Sequence, residues 1–149
     1  MLSGIFVAPA VTAITEALGS ANAVEGPIAV IGNAKLAAAL ATNREVIPVA
    51  LSARAAKKLP NARADLTTIA PASLAAVIGV DITDDDAWSE TLRTWTRAVR
   101  DGGAIVFVDK NHAVEASRRA LCAGLSELEQ RHAGRTVITS GLVTHLATL

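Results

Sequence analysis

A chain of 149 residues, half of them hydrophobic and with no net formal charge, is long enough to bury the core of one domain. Its apolar residues are mainly Ala, Val, Leu and Ile. Only Phe6, Phe107, Trp88 and Trp95 are aromatic, so there is no stacking platform for bases, and the balanced charge offers no basic stripe for a phosphate backbone. Nucleic-acid binding is therefore not expected; the single cysteine, Cys122, excludes an internal disulfide and a Cys-rich zinc site, and fits a reducing, cytoplasmic setting.

The N-terminal segment carries an apolar stretch, Ile5–Ile14, and an A-x-A pattern at Ala21–Ala23, as a secretory leader would. No Lys or Arg precedes the stretch and Glu16 lies within the segment, so a helix over Pro9–Leu18 is expected instead. Val11, Ile14 and Leu18 fall on one face of it, which would cover the edge of a sheet or meet a second copy. No run approaches the roughly 18 apolar residues of a membrane span, and no membrane association is expected.

Pro27–Ala41 organises the rest. An apolar run, Ile28–Ile31, ends at Gly32, and Asn33 leads into an Ala/Leu segment that forms a helix. In open α/β sheets ligands bind at the carboxyl end of such a strand, where a helix N-terminus offers free N–H groups. A second strand is expected over Glu45–Leu51, with Pro48 tolerated where no N–H is needed. Ser52 caps a short helix, Ala53–Leu59, which Pro60 ends. Asn61–Leu66 is a short third strand candidate, and Leu74–Val80 has the continuous apolar character of a strand buried on both faces.

Thr83 is expected to cap a helix over Asp84–Arg100, with Asp84, Asp85 and Asp86 complementing its positive end. Asp101–Gly103 forms a turn into a buried strand, Ala104–Val108, that ends at Asp109. Ala113–Ala123 is the next helix, stopped by Gly124. Leu125–His132 alternates as a strand does, with a helix over Ala123–Arg131 as the competing reading. A turn at Ala133–Gly134 leads to the last strand, Arg135–Leu146, kinked at Gly141. Strands separated by helices mean a parallel sheet covered on both faces, here closed by an antiparallel hairpin.

In this order the chain resembles the class I S-adenosylmethionine-dependent methyltransferases. IAVIGNAKLAAALA looks like the family's first strand, turn and helix; WTRAVRDGGAIVFVD, Trp95–Asp109, is similar to its helix, Gly-Gly turn and fifth strand; LCAGLSELEQRHAGRTVITSGLV is similar to its last helix and closing hairpin. The resemblance implies a single methyltransferase-like domain, with residues 1–24 as an N-terminal helix and 27–149 as the α/β core. Its expected architecture is a Rossmann-like three-layer sandwich around a mostly parallel seven-stranded sheet in the order 3-2-1-4-5-7-6. It also implies S-adenosylmethionine as a cofactor, held near Gly32 and Asn33 in the first turn, Ser52 after the second strand, Asp65 and Leu66 at the third, and Val80 at the end of the fourth.

Several positions depart from the family's pattern. The first strand carries Val30 where the family has an acid, and the Gly-rich loop is reduced to Gly32-Asn33-Ala34 and is about two residues shorter. The second strand ends Val49-Ala50-Leu51-Ser52, with no carboxylate for a ribose, whereas Asp65 matches the residue that holds the adenine amino group. These departures point to a degenerate cofactor site on a non-catalytic assembly or regulatory protein, self-associating or bound to a protein partner. An active small-molecule methyltransferase with an atypical cofactor grip is the alternative, and a small anion or nucleotide at the first helix N-terminus a third reading.

No catalytic residue is assigned. Asp81 follows the fourth strand, and Asp109, Lys110, Asn111 and His112 follow the fifth, where His112 could serve as a general base. Helix capping and a polar loop account for both groups more simply. His132 and His145 lie on the hairpin, and no His/Asp spacing suits a metal, so none is expected. Cys122 has no His beside it in sequence, Ser140-Gly141 lacks a strand-to-helix elbow, and Gly32 lacks the G-x-G-x-x-G spacing of a dinucleotide site.

Overall fold

A computed structural model describes residues 7–21, 25–42, 44–59 and 61–145. Part of the leader-like pattern, residues 5–6 and 22–23, lies outside them. Among the described residues six strands form one sheet: β1 (Ile28–Ile31), β2 (Val46–Val49), β3 (Leu74–Val80), β4 (Val99–Lys110), β5 (Ser126–Ala133) and β6 (Thr136–Leu142). Their order is β2-β1-β3-β4-β6-β5. The first four are parallel, β6 runs antiparallel between β4 and β5, and the β5–β6 hairpin closes the far edge.

The helices are α1 (Val7–Ser20), α2 (Ala34–Leu40), α3 (Ala53–Ala56), α4 (Trp88–Ala98) and α5 (Ala113–Cys122). Because strand side chains alternate in direction, the sheet has two apolar faces. Ile28, Val30, Ile78, Val106 and Ile138 pack against Ala10, Ile14 and Leu18 of α1 and Leu36 and Leu40 of α2. Ala29, Val77, Ile105 and Phe107 pack on the other side against Leu92 and Trp95 of α4 and Ala116 and Ala120 of α5. The result is a three-layer α/β sandwich.

Three expectations are corrected. The seven-strand order 3-2-1-4-5-7-6 is not formed, because Asn61–Leu66 is not a strand: it makes one isolated parallel bridge, Arg63 with Val49, and then a single 3-10 turn at Leu66–Thr68. The segment is short and polar, and Leu66 turns into the core instead of alternating along a sheet edge. The helix expected from Asp84 begins only at Trp88; a 3-10 turn at Ile82–Asp84 comes first, and Thr83 caps nothing there because its side chain bonds Asp109. The Asp101–Gly103 turn is absorbed into β4 as a bulge, so that Leu74 faces Val99 but Ala76 faces Ala104. Gly102, at φ +80, makes that bulge possible, and its N–H bonds the carbonyl of Val143. The stretch after Gly124 is β5, not a helix.

Pro48 fits its strand because its backbone faces away from β1. Ile28 and Gly32 donate to the carbonyls of Glu45 and Val49, so Val46, Pro48 and Ala50 turn their backbone groups outward. There Asn61 Nδ2 bonds the Val46 carbonyl, Arg63 N–H bonds the Pro48 carbonyl, and Ala50 N–H bonds the Arg63 carbonyl. The missing proline N–H costs no ladder bond, and the segment Asn61–Arg63 covers this edge of the sheet.

Candidate functional site

The strand order reverses between β1 and β3, which makes their carboxyl ends the place where an open α/β sheet accepts a ligand. Left-handed residues cluster along this edge. Gly32 (φ +82) leaves β1, Ala50 (φ +56) leaves β2, Asp81 (φ +57) leaves β3, and Asn111 and His112 (φ +62 and +60) leave β4. Four of these are not glycine, so the backbone here is held in a sparsely populated region by its surroundings.

Each of the residues expected around a cofactor has its own local setting. Gly32 lies beside Val80, and a Cβ added to it would come 3.3 Å from Val80 Cγ2. Asn33 is the N-cap of α2, its Oδ1 accepting the Leu36 N–H at 2.9 Å. Ser52 caps α3 in the same way, its Oγ accepting the Ala55 N–H at 3.2 Å. Asp65 Oδ1 accepts the Thr67 N–H at 2.9 Å and also the Thr67 hydroxyl, and these bonds hold its carboxyl below the usual range. Leu66 is buried among the core residues. Val80 is half-buried against the core on the α1–α2 face of the sheet.

An open cleft of about 420 Å³ does reach Ser52. It runs between α2 and α3, with Ala38, Ala55 and Leu59 in its wall and Lys35, Arg54 and Lys58 around it. Arg54 and Lys58 are four residues apart in sequence, and only the folded chain brings Lys35 to the same cleft.

Further along the edge lies an acidic group. Asp109 is buried at the end of β4, and its Oδ1 accepts the Thr83 N–H at 3.0 Å and the Thr83 hydroxyl at 2.9 Å. Its Oδ2 is buried without a hydrogen-bond partner among the described residues. Burial raises its pKa; the Thr83 bonds oppose that shift, and nearby Asp81 and Asp84 add to it. Arg119 of α5 donates to the carbonyls of Ile82 and Asp85, which fixes the turn that carries Thr83. Lys110, Asn111 and His112 are exposed. The Thr83–Asp109 link joins residues 26 apart, and no local sequence signal marks it.

His132, near the end of β5, is level with Asp109 at this end of the sheet and two strands away, because both pair in register with Val137, whereas His145 lies at the opposite end, its ring bonding the Val99 carbonyl at 2.6 Å. Cys122 is exposed on α5. Among the described residues no group of three or more His, Cys, Asp or Glu side chains is placed to hold a metal ion, and no helix is long and apolar enough to cross a membrane.

No family model and no curated protein matches the chain, but solved structures do. It is similar to a putative S-adenosyl-L-methionine-dependent methyltransferase of Methanococcus maripaludis, at 14% identity and a TM-score of 0.69, over 97% of this chain and 90% of that one. It is similar to the N-methyltransferase NodS of Bradyrhizobium japonicum, at 14% identity and 0.67, over 96% and 99%. It also matches the T. thermophilus 16S rRNA N2 G1207 methyltransferase RsmC, solved with AdoMet and guanosine, at 17% identity and 0.63, over 84% of this chain. The chain spans only 37% of that protein's length. The fold is that of the class I S-adenosylmethionine-dependent methyltransferases.

Proposed function

We propose that this chain uses the methyltransferase fold as an assembly or regulatory protein and does not transfer methyl groups. One observation carries the reading: the polar groups at the expected cofactor positions are engaged with the chain's own backbone. Asn33 is bonded to Leu36, Ser52 to Ala55 and Asp65 to Thr67. The end of β2 adds no carboxylate for a ribose, and Gly32 lies against Val80. The residues present do not fit S-adenosylmethionine in the family's manner, and no reaction step is assigned to it.

The alternative, an active small-molecule methyltransferase, is favoured by one feature: Asp65 is exposed at the place where the family holds adenine. Calorimetric titration with S-adenosylmethionine, paired with a thermal shift, separates the two. A ligand at about 100 times its dissociation constant adds roughly 2.7 kcal/mol of stability, a shift that is readily seen. The proposal expects no heat and no shift at millimolar ligand. Tight binding that Asp65→Ala weakens, with turnover on an acceptor, would establish the alternative instead.

A further inference from the structure

The cations of the cleft between α2 and α3 have no counterpart around it. Lys35, Arg54 and Lys58 line it, and none of its other lining residues is acidic. Among the described residues these three side chains make no ion pair; the pairs that do form lie elsewhere, at Glu115 and at Arg131. The imbalance runs through this part of the sequence. From 33 to 64, Lys35, Arg44, Arg54, Lys57, Lys58 and Arg63 are cationic and Glu45 is the only acid, in a chain with fourteen charges of each sign. Glu45 precedes β2, and its carbonyl accepts the Ile28 N–H at the amino end of the sheet, so the length of a strand separates it from the cleft. Like charges around one cleft repel each other, and an anion placed among them relieves that cost.

The position of the cleft says which kind of anion. Ala34 and Lys35 open α2 directly after the β1 turn, and Ser52 follows β2. The cleft therefore lies at the carboxyl ends of these two strands, beside the point where the strand order reverses. In open α/β sheets the residues after the second strand read the sugar of a bound nucleotide. A carboxylate there takes the ribose hydroxyls, whereas an arginine takes a phosphate carried in their place. Here Val49-Ala50-Leu51-Ser52 contains no carboxylate, and Arg54 follows two residues on.

The donor set agrees with that choice. Ser52 Oγ accepts the Ala55 N–H, which leaves its hydroxyl proton to donate. One guanidinium, two ammoniums and a hydroxyl are all donors, as the acceptor oxygens of a phosphate monoester require. Ala38, Ala55 and Leu59 add an apolar wall, and the volume of about 420 Å³ holds a molecule larger than a bare ion.

We propose that this cleft binds a nucleotide through a phosphate on its ribose 2′ or 3′ oxygen, held by Lys35, Arg54, Lys58 and the Ser52 hydroxyl. Such a ligand ties α2 to α3, two helices that follow different strands. The proposal goes beyond the assembly or regulatory role and does not depend on it. Its ligand is not S-adenosylmethionine, so either test can fail alone.

Calorimetric titration with adenosine 2′,5′-bisphosphate, adenosine 3′,5′-bisphosphate and adenosine 5′-monophosphate, at fixed ionic strength, tests it. At least one bisphosphate should bind roughly tenfold or more tightly than the monophosphate, and the tighter of the two names the oxygen that carries the phosphate. The double variant Lys35→Gln with Arg54→Gln alters only exposed side chains. It should raise the dissociation constant at least about tenfold while circular dichroism stays unchanged. Lys57→Gln removes a neighbouring charge that does not line the cleft, and it should change the constant by less than about threefold. No heat with either bisphosphate at millimolar concentration overturns the proposal, as does a monophosphate that binds equally well. Affinity that ignores the double variant, or that falls as far in Lys57→Gln, overturns the assignment to this cleft.

Discussion

Trp95 of α4 lies directly on Gly79 of β3: a Cβ built on that glycine would come 2.0 Å from Trp95 Cη2. The indole is buried, with its ring centre 6.2 Å from that of Phe107 on the neighbouring strand. The absence of a side chain at Gly79 therefore sets how closely α4 approaches the sheet, and that approach positions the edge carrying Asp81 and Thr83. Gly79→Ala should force the indole off its site and cost about 3 kcal/mol or more. Urea denaturation of the two proteins checks this, and an equally stable variant would show that α4 can shift at little cost.

Burial gives Asp109 a pH dependence of definite sign. Its pKa is raised in the folded chain, so from the ordinary carboxylate range up to that raised value the folded state holds a proton that the unfolded state lacks. Its contribution to stability is fully present in acid and is lost as pH rises through the folded value. Asp109→Asn keeps an oxygen for Thr83 and cannot ionise. It should be more stable than the parent at neutral pH, and the gain should vanish as pH falls below the ordinary aspartate range. Denaturation curves at a series of pH values provide the measurement.

Glu115 should behave in the opposite way. Hydrogen bonds from Arg118 and Arg119, at 2.6 Å from one oxygen, hold its pKa down to about 2. The stability it contributes is present above the ordinary value of 4.5 and is lost as pH falls toward 2. Both guanidiniums also lie over the Trp88 ring, at 5.5 and 5.2 Å. Glu115→Gln should therefore lower stability at neutral pH, with the deficit closing in strong acid. Added salt should narrow it, because this network is open to solvent.

Asn33 stands at the first turn after β1, and its role separates a helix cap from a ligand contact. As a cap it bonds Leu36 N–H, and Asn33→Ala should cost about 1 kcal/mol. Asn33→Asp keeps an acceptor at a helix N-terminus and should restore most of that loss. Thermal denaturation of the three proteins is the readout. A residue held for a ligand would instead show little change in stability without the ligand present.

Local chemistry in the chain determined most of the elements. The apolar run Leu74–Val80 is β3 residue for residue, Asn33 and Ser52 cap the helices that follow them, and Gly124 ends α5, because each signal acts within a few residues. The closing hairpin was legible for the same reason: its turn and β-branched run are contiguous. Three features of the edge were decided only by the tertiary structure. Asn61–Leu66 is expected as a strand, yet its backbone pairs with β2 only at Arg63, and Leu66 lies in the core. Thr83 lies where a helix cap is expected, yet Asp109, from another strand, takes its hydroxyl and its N–H. Lys35 joins Arg54 and Lys58 at one cleft only once the chain is folded. Periodicity and capping are properties of neighbours along the chain. Sheet edges, buried carboxylates and clefts are made by residues that meet only after folding, and at the carboxyl end of this sheet those meetings decide which side chains are engaged and which stay exposed.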